Sequence, residues 1–444
     1  MRMARNGSLG KSRLAMREIS MEHDRQVENA IDLGTSRIRV LFIAEAVTLA
    51  HVARVHALAQ LLDPSVYEIC IASDPRYDGL IGEHSFAARS IFTISTARFA
   101  AALKKGAPIY DTDTLAAYAE EDTQAIEAFA PDVVIGDFRL SLNVSARLVG
   151  KPYINITNAG WSPYARVKFT VPDIALPRWL GVPVAQRLFD LTRPLAFAAH
   201  AMPLNGLRKR YGLRPLPYDL REVYTDADFV LYADIPELFS MRPLPPHHAF
   251  IGAVLWSPES PLPAWWASLL TDRPMIYVTL GSSGQSSLLS TVIAALAGMS
   301  VTVIAATAGR VQLDHVPANA FVADYLPGTL AARRANLVIC NGGSPTCYQA
   351  LAASVPILGI PSNLDQFLNM GAVEAAGAGS TLRPQSVSPL SVSKAVDVML
   401  RTASYQRSAE RLMTSIGARQ PALVLTATLK NAVPSAHSNI AARG

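Results

Sequence analysis

The sequence predicts an α/β protein built from two parallel-sheet domains, and two observations lead to this fold class. Short β-branched apolar runs alternate with longer helical patterns along the chain, which is the rhythm of strand–helix–strand units around a parallel sheet. The length of 444 residues exceeds one domain of roughly 150 residues, and a proline-rich segment divides the strands into two sets. Half of the residues are hydrophobic, which is enough apolar sequence for two packed cores.

The first set of strands falls within a domain predicted at residues 37–241. Its strand candidates are short apolar runs at residues 39–44, 67–73, 90–95, 132–137, 152–157 and 228–234. Helical patterns such as residues 115–129 separate several of these runs. Residues 1–36 precede this domain and are predicted as a mobile tail, because they contain no continuous apolar stretch.

Residues 242–274 are predicted as an interdomain linker, because their many prolines cannot continue a hydrogen-bonded strand ladder. A second domain is predicted at residues 275–433. Its strand candidates lie at residues 275–280, 301–306, 320–324, 337–340 and 355–360. Residues 389–433 have the pattern of two or three helices, the last of which is expected to pack back across the domain junction. Residues 434–444 are predicted as a second mobile tail.

The charge and the cysteines exclude several classes of partner. Of the formal net charge of +5, the first twenty residues contribute +4, from five basic residues and one acidic residue. The rest of the chain is therefore close to neutral, and no basic run with interleaved aromatic residues predicts nucleic acid binding. Three cysteines without zinc-site spacing fit a reduced, cytoplasmic protein. No run of about 18 apolar residues predicts a membrane span.

A histidine and an aspartate in the first domain are candidate catalytic residues, because ligands of open parallel sheets bind beyond the carboxyl ends of the strands. His51 falls at the start of the helix after the first predicted strand, and Asp137 ends the run 132–137. A carboxylate beside the imidazole would orient it and stabilise its charged form as it accepts a proton. Alone, such a histidine more often packs or caps a helix, and such an aspartate is as likely to cap a helix or turn. The absence of G-x-G-x-x-G argues against a dinucleotide cofactor.

Two glycine-rich turns in the second domain are candidates for an anion site. The loop after the strand at 275–280 contains Gly281, Ser282 and Ser283. The turn after the strand at 337–340 contains Asn341, Gly342, Gly343 and Ser344, and the following Pro345 suits the first position of a helix. Free amides at such a helix start can hold a diphosphate. Each turn alone also fits an ordinary connection from strand to helix.

Asp365 and Gln366 follow the next predicted strand and a proline turn. A carboxylate next to an amide can accept and donate several hydrogen bonds, which suits the vicinal hydroxyls of a sugar. Helix capping by Asn363 and Asp365 is an equally weighted alternative. Another pair of carboxylates, Asp111 and Asp113, resembles a metal-binding D-x-D, but its place before a long helical pattern predicts capping instead.

Residues 325–369 (YLPGTLAARRANLVICNGGSPTCYQALAASVPILGIPSNLDQFLN) resemble the donor-binding region of family 1 glycosyltransferases, the UDP-glycosyltransferase superfamily, and are most similar to its bacterial macrolide-type members. The resemblance extends over roughly residues 38–420. It implies a GT-B architecture, in which two facing Rossmann-like domains bind the acceptor in the first and the nucleotide-sugar in the second.

The resemblance also assigns roles to residues. Tyr325, with Pro327, would lie under the nucleobase, and His51 and Asp137 match the catalytic base and its carboxylate partner. The residues that match the diphosphate and sugar contacts are Gly343, Ser344, Thr346, Asp365 and Gln366. Three positions depart from the family pattern: Asn341 stands for a usual His, Ala50 for a usual Gly and Tyr325 for a common Trp. The Asn341 departure puts donor affinity and donor identity in question, since Asn donates to phosphate but carries no charge.

The function implied is inverting transfer of a sugar from a nucleoside diphosphate to an acceptor hydroxyl, without a metal ion or other cofactor. A UDP-sugar is the preferred donor and a dTDP-sugar the second choice. Residues 161–216, a mixture of aromatic, aliphatic and Arg residues, are the candidate acceptor wall for a small apolar or aromatic molecule, and a helix pair with a solvated face is the alternative. A lipid acceptor would bring this segment to a membrane surface. A nucleotide-sugar epimerase of the same fold and a non-catalytic partner of another transferase remain alternatives.

Overall fold

The structure is a computed structural model that describes residues 37–434. The predicted N-terminal tail and all but the first residue of the predicted C-terminal tail lie outside the described residues. Within 37–434, two parallel sheets of seven and six strands carry the fold. The prediction of an α/β protein with two Rossmann-like domains is confirmed.

The first sheet has the strand order β3-β2-β1-β4-β5-β6-β7, and all its neighbouring strands are parallel. Its strands are β1 Ile38–Ala44, β2 Tyr67–Ser73, β3 Ala87–Ser90, β4 Val133–Asp137, β5 Tyr153–Thr157, β6 Phe229–Tyr232 and β7 His248–Phe250. The central strands β1 and β4 are almost completely buried, because helices cover both faces of the sheet.

The second sheet repeats the same order, β10-β9-β8-β11-β12-β13, again with parallel neighbours. Its strands are β8 Met275–Thr279, β9 Thr302–Ala306, β10 Ala320–Ala323, β11 Leu337–Cys340, β12 Ile357–Gly359 and β13 Gly379–Thr381. In each sheet the strand order reverses next to the first strand, between β1 and β4 and between β8 and β11. Such reversals open a crevice at the carboxyl ends of the strands, where ligands bind.

The α-helices of the described residues connect these strands and extend beyond them. In the N-terminal domain they are α1 Leu49–Ala59, α2 Asp78–Ile81, α3 Thr96–Lys105, α4 Thr112–Phe129, α5 Leu142–Leu148, α6 Ala175–Leu180, α7 Val182–Arg210 and α8 Leu220–Val223. In the C-terminal part they are α9 Leu289–Leu296, α10 Gly328–Arg334, α11 Ser344–Ala352, α12 Leu364–Ala375, α13 Pro389–Arg401, α14 Ala403–Gly417 and α15 Pro421–Ala432. Within residues 37–434, no helix is both long enough and apolar enough to cross a bilayer.

Three strands, β3, β7 and β13, differ from the sequence prediction. The strand β13, Gly379–Thr381, was not among the strand candidates. The third strand lies at Ala87–Ser90 rather than at 90–95, because this edge strand is mostly exposed and has no apolar pattern. The segment 242–274, predicted as a linker without strands, contains β7, which pairs with β6. The three-residue strands β7 and β13 need few ladder bonds, so neighbouring prolines and glycines do not prevent them.

The helix α15 returns to the N-terminal domain, as predicted. Its fully buried Leu425 and Leu429 join the core that contains Val40 and Phe42 of β1. The D-x-D sequence also has the predicted structural role, since the Asp111 side chain accepts a hydrogen bond from the Thr114 amide and caps α4.

Candidate active site

His51 and Asp137 meet at the strand-order reversal of the first sheet. Ala44, the last residue of β1, is in register with Asp137 on β4. The chain then enters α1, whose first turn carries His51. The His51 Nδ1 atom lies 2.8 Å from Asp137 Oδ1. Adjacent parallel strands therefore bring together two side chains that are 86 positions apart.

The charge state of Asp137 determines which nitrogen of His51 carries the proton. Burial alone would raise the pKa of the Asp137 carboxyl, but the Arg54 guanidinium and the His51 ring lower it, and the pKa lies below its usual range. The carboxyl is therefore ionised near neutral pH and can only accept hydrogen bonds. Nδ1 of His51 must donate, which leaves the lone pair on Nε2. The pair can thus remove a proton from a hydroxyl group.

Arg54 is a further member of this cluster that sequence reasoning missed. Its Nε and Nη2 atoms donate to the two oxygens of Asp137 at 2.5 and 2.8 Å, and its Nη1 donates to Asn158 Oδ1 at 3.1 Å. The Asn158 Nδ2 atom in turn donates to Ser344 Oγ at 3.0 Å. A continuous chain of hydrogen bonds therefore runs from the catalytic candidate pair to the start of α11 in the other domain.

The buried carboxyl of Asp234 lies at the same contact between the two domains. Asp234 accepts hydrogen bonds from the Ala159 amide at 2.5 Å and from the Tyr348 hydroxyl of α11 at 2.9 Å. Burial raises the pKa of Asp234 to about 7, against the lowering effect of these hydrogen bonds and of Arg54. The interdomain contact beside the site therefore rests on polar groups from both domains.

Phe138 was also missed, and it packs directly on His51. The two rings stack with their centroids 4.7 Å apart and their planes 6° from parallel. Phe138 has a positive φ of 59°, which costs a bulky residue roughly 1–3 kcal/mol and is concentrated at functional sites. The strained backbone directs an aromatic surface to the position beside the candidate base.

An aromatic cluster extends from Phe138 along the acceptor side. Its ring meets Tyr224 at 5.7 Å, and Tyr224 meets Trp161 at 5.3 Å between centroids. Trp161 also contacts Phe169 and Phe197 at 6.2 and 6.3 Å. These last three residues belong to the segment 161–216 that was predicted as an acceptor wall. Phe169, Phe197 and Tyr224 are buried, so the partly exposed Phe138 and Trp161 are the rings of this cluster that an apolar or aromatic ligand could contact.

The two glycine-rich turns of the C-terminal domain lie side by side, because β8 and β11 are neighbours. Ser283 Oγ lies 3.2 Å from Asn341 Nδ2 and 3.3 Å from Gln366 Nε2. Amide nitrogens can only donate, so Ser283 accepts both bonds and its own proton remains for an outside acceptor. The exposed Ser283 hydroxyl is therefore able to donate to an anion.

Asn341 is 4% exposed, and both ends of its amide are engaged. Its Nδ2 donates to Ser283, and its Oδ1 accepts from the Gly343 amide at 3.1 Å. Asn341 therefore holds the two turns together. Gly342 between them has φ +77°, and a Cβ atom there would lie 2.5 Å from Met370 Cγ, so this position requires glycine.

The remaining predicted anion contacts lie around the same turns. Gly281 has a positive φ of 59°, and Ser282 is partly exposed beside it. Ser344 and the partly buried Thr346 lie in the first turn of α11, where backbone amides are unpaired within the helix. Arg310, which the sequence reasoning missed, donates from Nη1 to the Gly284 carbonyl at 2.8 Å and adds a cation to this edge.

Of the predicted sugar-binding residues Asp365 and Gln366, only Asp365 is open to solvent. Gln366 is 1% exposed, and its Oε1 accepts from the Ser362 amide and hydroxyl at 2.9 and 3.1 Å. Asp365 is exposed, and its Oδ1 accepts a hydrogen bond from Trp161 Nε1 of the other domain at 2.7 Å. The capping role weighed for this segment belongs to Asn363, which accepts from the Gln366 amide. Of the predicted pair, Asp365 is therefore the residue that a ligand could reach.

Tyr325 lies beside the loop after β9. Its hydroxyl donates to the Ala308 carbonyl at 3.1 Å, and its ring lies close to Gly309. The ring is partly exposed at the same sheet edge as Arg310. The Tyr325 ring and the Arg310 guanidinium thus lie next to the two glycine-rich turns.

Comparison with known proteins identifies the family of the chain. A family model described as "Erythromycin biosynthesis protein CIII-like, C-terminal domain" matches residues 290–427. A "PGL/p-HBAD biosynthesis glycosyltransferase" of Mycobacterium tuberculosis is 52% identical over 381 residues, which cover 86% of this chain and 89% of the relative. The chain belongs to the macrolide-type family 1 glycosyltransferases.

Other relatives of this glycosyltransferase carry more specific names. A "PGL/p-HBAD biosynthesis rhamnosyltransferase" of Mycobacterium bovis is 52% identical over 385 residues, 87% of this chain and 86% of the relative. A protein from the same species named an "Inactive PGL/p-HBAD biosynthesis glycosyltransferase" is 49% identical over 260 residues, 59% of this chain and 71% of its own.

Solved structures confirm the GT-B fold of the glycosyltransferase. The spinosyn rhamnosyltransferase SpnG superposes with a TM-score of 0.65 at 21% identity, over 88% of this chain and 99% of SpnG. The calicheamicin glycosyltransferase CalG4 gives a TM-score of 0.63 at 16% identity, over 90% and 99%. At such identities the likeness concerns the fold.

The link from Asn341 to Ser283 gives a prediction for nucleotide binding by this glycosyltransferase. Asn341→Ala should weaken binding of UDP or dTDP by about 1–2 kcal/mol, because the Ser283 hydroxyl loses one of the bonds that orient it. In Asn341→His, a ring able to become cationic should make binding tighten as the pH falls through about 6.5. Calorimetric titration at pH 6 and pH 8 measures both effects.

A double-mutant cycle separates the indirect role of Asn341 from a direct one. If Asn341 acts through Ser283, then Ser283→Ala with Asn341→Ala should bind nucleotide no more weakly than Ser283→Ala alone. Additive losses would mean that Asn341 contacts the nucleotide independently of Ser283.

Proposed function

We propose that this glycosyltransferase moves a sugar from a nucleoside diphosphate to a hydroxyl of an apolar or aromatic acceptor, with inversion at the anomeric carbon and without a metal ion. The observation that carries the proposal is the His51–Asp137 hydrogen bond, connected through Arg54 and Asn158 to Ser344 at the anion turns. A base and an anion site on opposite sides of one crevice are what direct displacement requires.

In the proposed reaction, His51 Nε2 removes the proton of the acceptor hydroxyl as its oxygen attacks the anomeric carbon. The bond from that carbon to the diphosphate oxygen breaks, and the nucleoside diphosphate leaves with the electron pair. Asp137 stabilises the imidazolium that forms. The amides at the start of α11, the Ser283 hydroxyl and Arg310 are placed to receive the developing negative charge.

Two observations bear on the donor. Tyr325 and Pro327 match the element that lies under the nucleobase in the family, and the resemblance favours a UDP-sugar as donor. The relative named a rhamnosyltransferase, and a SpnG structure complexed with thymidine diphosphate, instead favour dTDP-rhamnose. We infer a dTDP-deoxyhexose as the first donor to test, with UDP-sugars beside it. The names of the relatives support a place in PGL or p-HBAD biosynthesis.

The aromatic cluster supports the acceptor class. Phe138 stacks on His51, so an aromatic acceptor that continues this stack would bring its hydroxyl close to the base. The partly exposed Trp161 adds apolar surface farther along the cluster, with the buried Tyr224 packed between it and Phe138. A ring with a hydroxyl and an apolar extension fits this surface best.

The two alternative functions differ in what they require of the site. The relatives are named glycosyltransferases, which favours transfer over epimerisation. One relative is named inactive, which is the observation in favour of a non-catalytic role. The hydrogen bond between His51 and the ionised Asp137 carboxylate favours catalysis in this chain.

The test is release of free nucleoside diphosphate with and without an acceptor. The protein is incubated with dTDP-rhamnose or UDP-glucose, and with 4-alkylphenols of increasing chain length. Transfer predicts a glycoside and an equal amount of nucleoside diphosphate only when acceptor is present. An altered sugar without acceptor would indicate an epimerase, and donor binding without turnover for any acceptor would indicate an auxiliary protein.

Metal independence gives a separate prediction. Activity should persist in excess EDTA, because helix amides, Ser283 and Arg310 neutralise the leaving diphosphate. Initial rates with EDTA and with added Mg²⁺ or Mn²⁺ should agree within about twofold. A rate that EDTA abolishes and Mg²⁺ restores would overturn the metal-free mechanism.

A further inference from the structure

The long helix α7, Val182–Arg210, carries a line of exposed apolar side chains. Val184, Leu188, Leu191, Leu195 and Met202 are 53%, 39%, 76%, 74% and 59% exposed. Their spacings of 4, 3, 4 and 7 residues keep them on one side of a helix with 3.6 residues per turn. They form a stripe about 27 Å long at 1.5 Å per residue.

The short helix α6 adds to this surface. Trp179 is 85% exposed and Leu180 is 47% exposed, and both directly precede α7. Of the twenty large apolar side chains that are exposed within residues 37–434, seven therefore lie in residues 179–202. Contiguous exposed apolar surface of this kind marks an interaction site. We call residues 179–202 the α7 stripe.

The stripe is distinct from the side of α7 that packs into the core. The opposite side of α7 is buried, with Ala185, Phe197, Ala201 and Leu204 packed into the N-terminal domain. Phe197 contacts Trp161 of the aromatic cluster. The helix thus forms a wall, with the acceptor side of the active site behind it and the stripe on its outer surface.

Exposed basic residues lie around the stripe. Residues 175–210 contain six basic residues and one acidic residue, Asp190, and four of the six pair with carboxylates: Arg178 with Asp173, Arg193 with Asp190, Arg208 with Asp226 and Arg210 with Asp113. Arg187 and Lys209 are exposed on α7. The basic end of α3, with the exposed Lys104 and Lys105, lies close by, because His200 of α7 hydrogen bonds to the Gly106 carbonyl at 3.3 Å.

We propose that the α7 stripe binds the surface of an anionic lipid membrane. A helix with an apolar line flanked by basic residues lies in the interface plane, with its apolar side chains among the acyl chains and its cations at the headgroups. Two copies of this chain that met through the stripe would instead bring the exposed cations of both copies together, Arg187 and Lys209 of α7 with Lys104 and Lys105 of α3. Membrane binding itself does not depend on the proposed function. Its benefit to the protein rests on the proposed function, because a protein bound at the membrane would present its acceptor wall to lipid-borne acceptors.

Sedimentation with vesicles tests the proposal. The protein should bind vesicles of phosphatidylcholine with an equal part of phosphatidylglycerol, and bind phosphatidylcholine alone at least about tenfold more weakly. Leu191→Gln with Leu195→Gln should lower binding to the anionic vesicles by at least about tenfold. The control pair Leu390→Gln with Leu423→Gln, at sites 76% and 63% exposed on other helices, should bind as the wild type does.

Further measurements separate the possible failures. Transfer to a water-soluble acceptor and the melting temperature should be unchanged in Leu191→Gln with Leu195→Gln, so a loss of vesicle binding is not a loss of folding or catalysis. Equal vesicle binding by this variant and the wild type would overturn the proposal. The proposal would also be overturned if light scattering detected a dimer of the wild type that is absent in the same variant, and the wild type did not bind vesicles.

Discussion

Replacement of His51 by alanine is expected to lower the turnover number for transfer by about 10²–10⁴-fold, the usual contribution of a positioned general base. The proposed donor contacts lie in the other domain, so we expect the affinity for UDP or dTDP to change by less than about twofold. Asp137→Asn should lose less activity, because the imidazole remains while its orientation and the charge that stabilises its protonated form are lost. Steady-state rates together with calorimetric titration of the nucleotide distinguish these effects.

A surface histidine provides the control. His315 is exposed in the second domain, and His315→Ala should leave both turnover and nucleotide affinity unchanged. Near wild-type turnover in His51→Ala would contradict the assignment of the base. Parallel loss of nucleotide affinity in His51→Ala would show that the substitution disturbs the crevice as a whole.

The contact between His51 and Asp137 was predictable from the sequence for a simple geometric reason. Both residues follow the carboxyl ends of strands that are neighbours in a doubly wound sheet, so their side chains meet at one edge. The same reasoning places Ser283 beside Asn341, because β8 and β11 are neighbours. Strand-to-helix turns in parallel sheets are thus the part of a site that a sequence pattern locates well.

Residues that reach the site from elsewhere were not predictable in this way. Arg54 has the sequence context of an ordinary helix residue, and only the fold shows that its guanidinium reaches Asp137. Trp161 and Asp365 are 204 positions apart, and their contact depends on how the two domains meet. Short strands such as β7 escape prediction because three residues carry no periodic pattern.

The engagement of Asn341 shows a further limit. The sequence identifies the residue that replaces the usual histidine, but residue type alone does not reveal which partners it has. In the fold its amide is occupied by Ser283 and by the Gly343 amide. The departure from the family pattern is therefore explained by a bond between two turns, and its effect on the donor is expected through Ser283.

A buried ionic network lies next to the catalytic candidate pair. Arg139, two residues after Asp137, is fully buried and pairs with Glu45 and Asp122 at 2.9 Å each. Glu45 is also fully buried and accepts hydrogen bonds from the Tyr110 and Tyr118 hydroxyls. The network joins the segments that follow β1 and β4, and so fixes the backbone around Phe138.

Arg139→Met is expected to lower the free energy of unfolding by about 3–5 kcal/mol at neutral pH, because it leaves two buried carboxylates without their cation. Burial already raises the pKa of Glu45 and of Asp122 in the wild type, against the lowering effect of Arg139. Without Arg139 both pKa values rise further. The folded variant then holds protons that the unfolded chain has released, so its stability falls as the pH rises above about 4.

The loss of stability in Arg139→Met should therefore be larger at pH 7.5 than at pH 5, which urea unfolding at the two pH values measures. The matched control is Arg401→Met, since Arg401 pairs with Asp397 on an exposed helix surface and such pairs contribute at most about 1 kcal/mol. Adding Glu45→Gln and Asp122→Asn to Arg139→Met should restore part of the stability, because the buried negative charges disappear with the cation. An Arg139→Met protein as stable as Arg401→Met at pH 7.5 would contradict the network's role, since two uncompensated charges cannot remain in this core without a measurable cost.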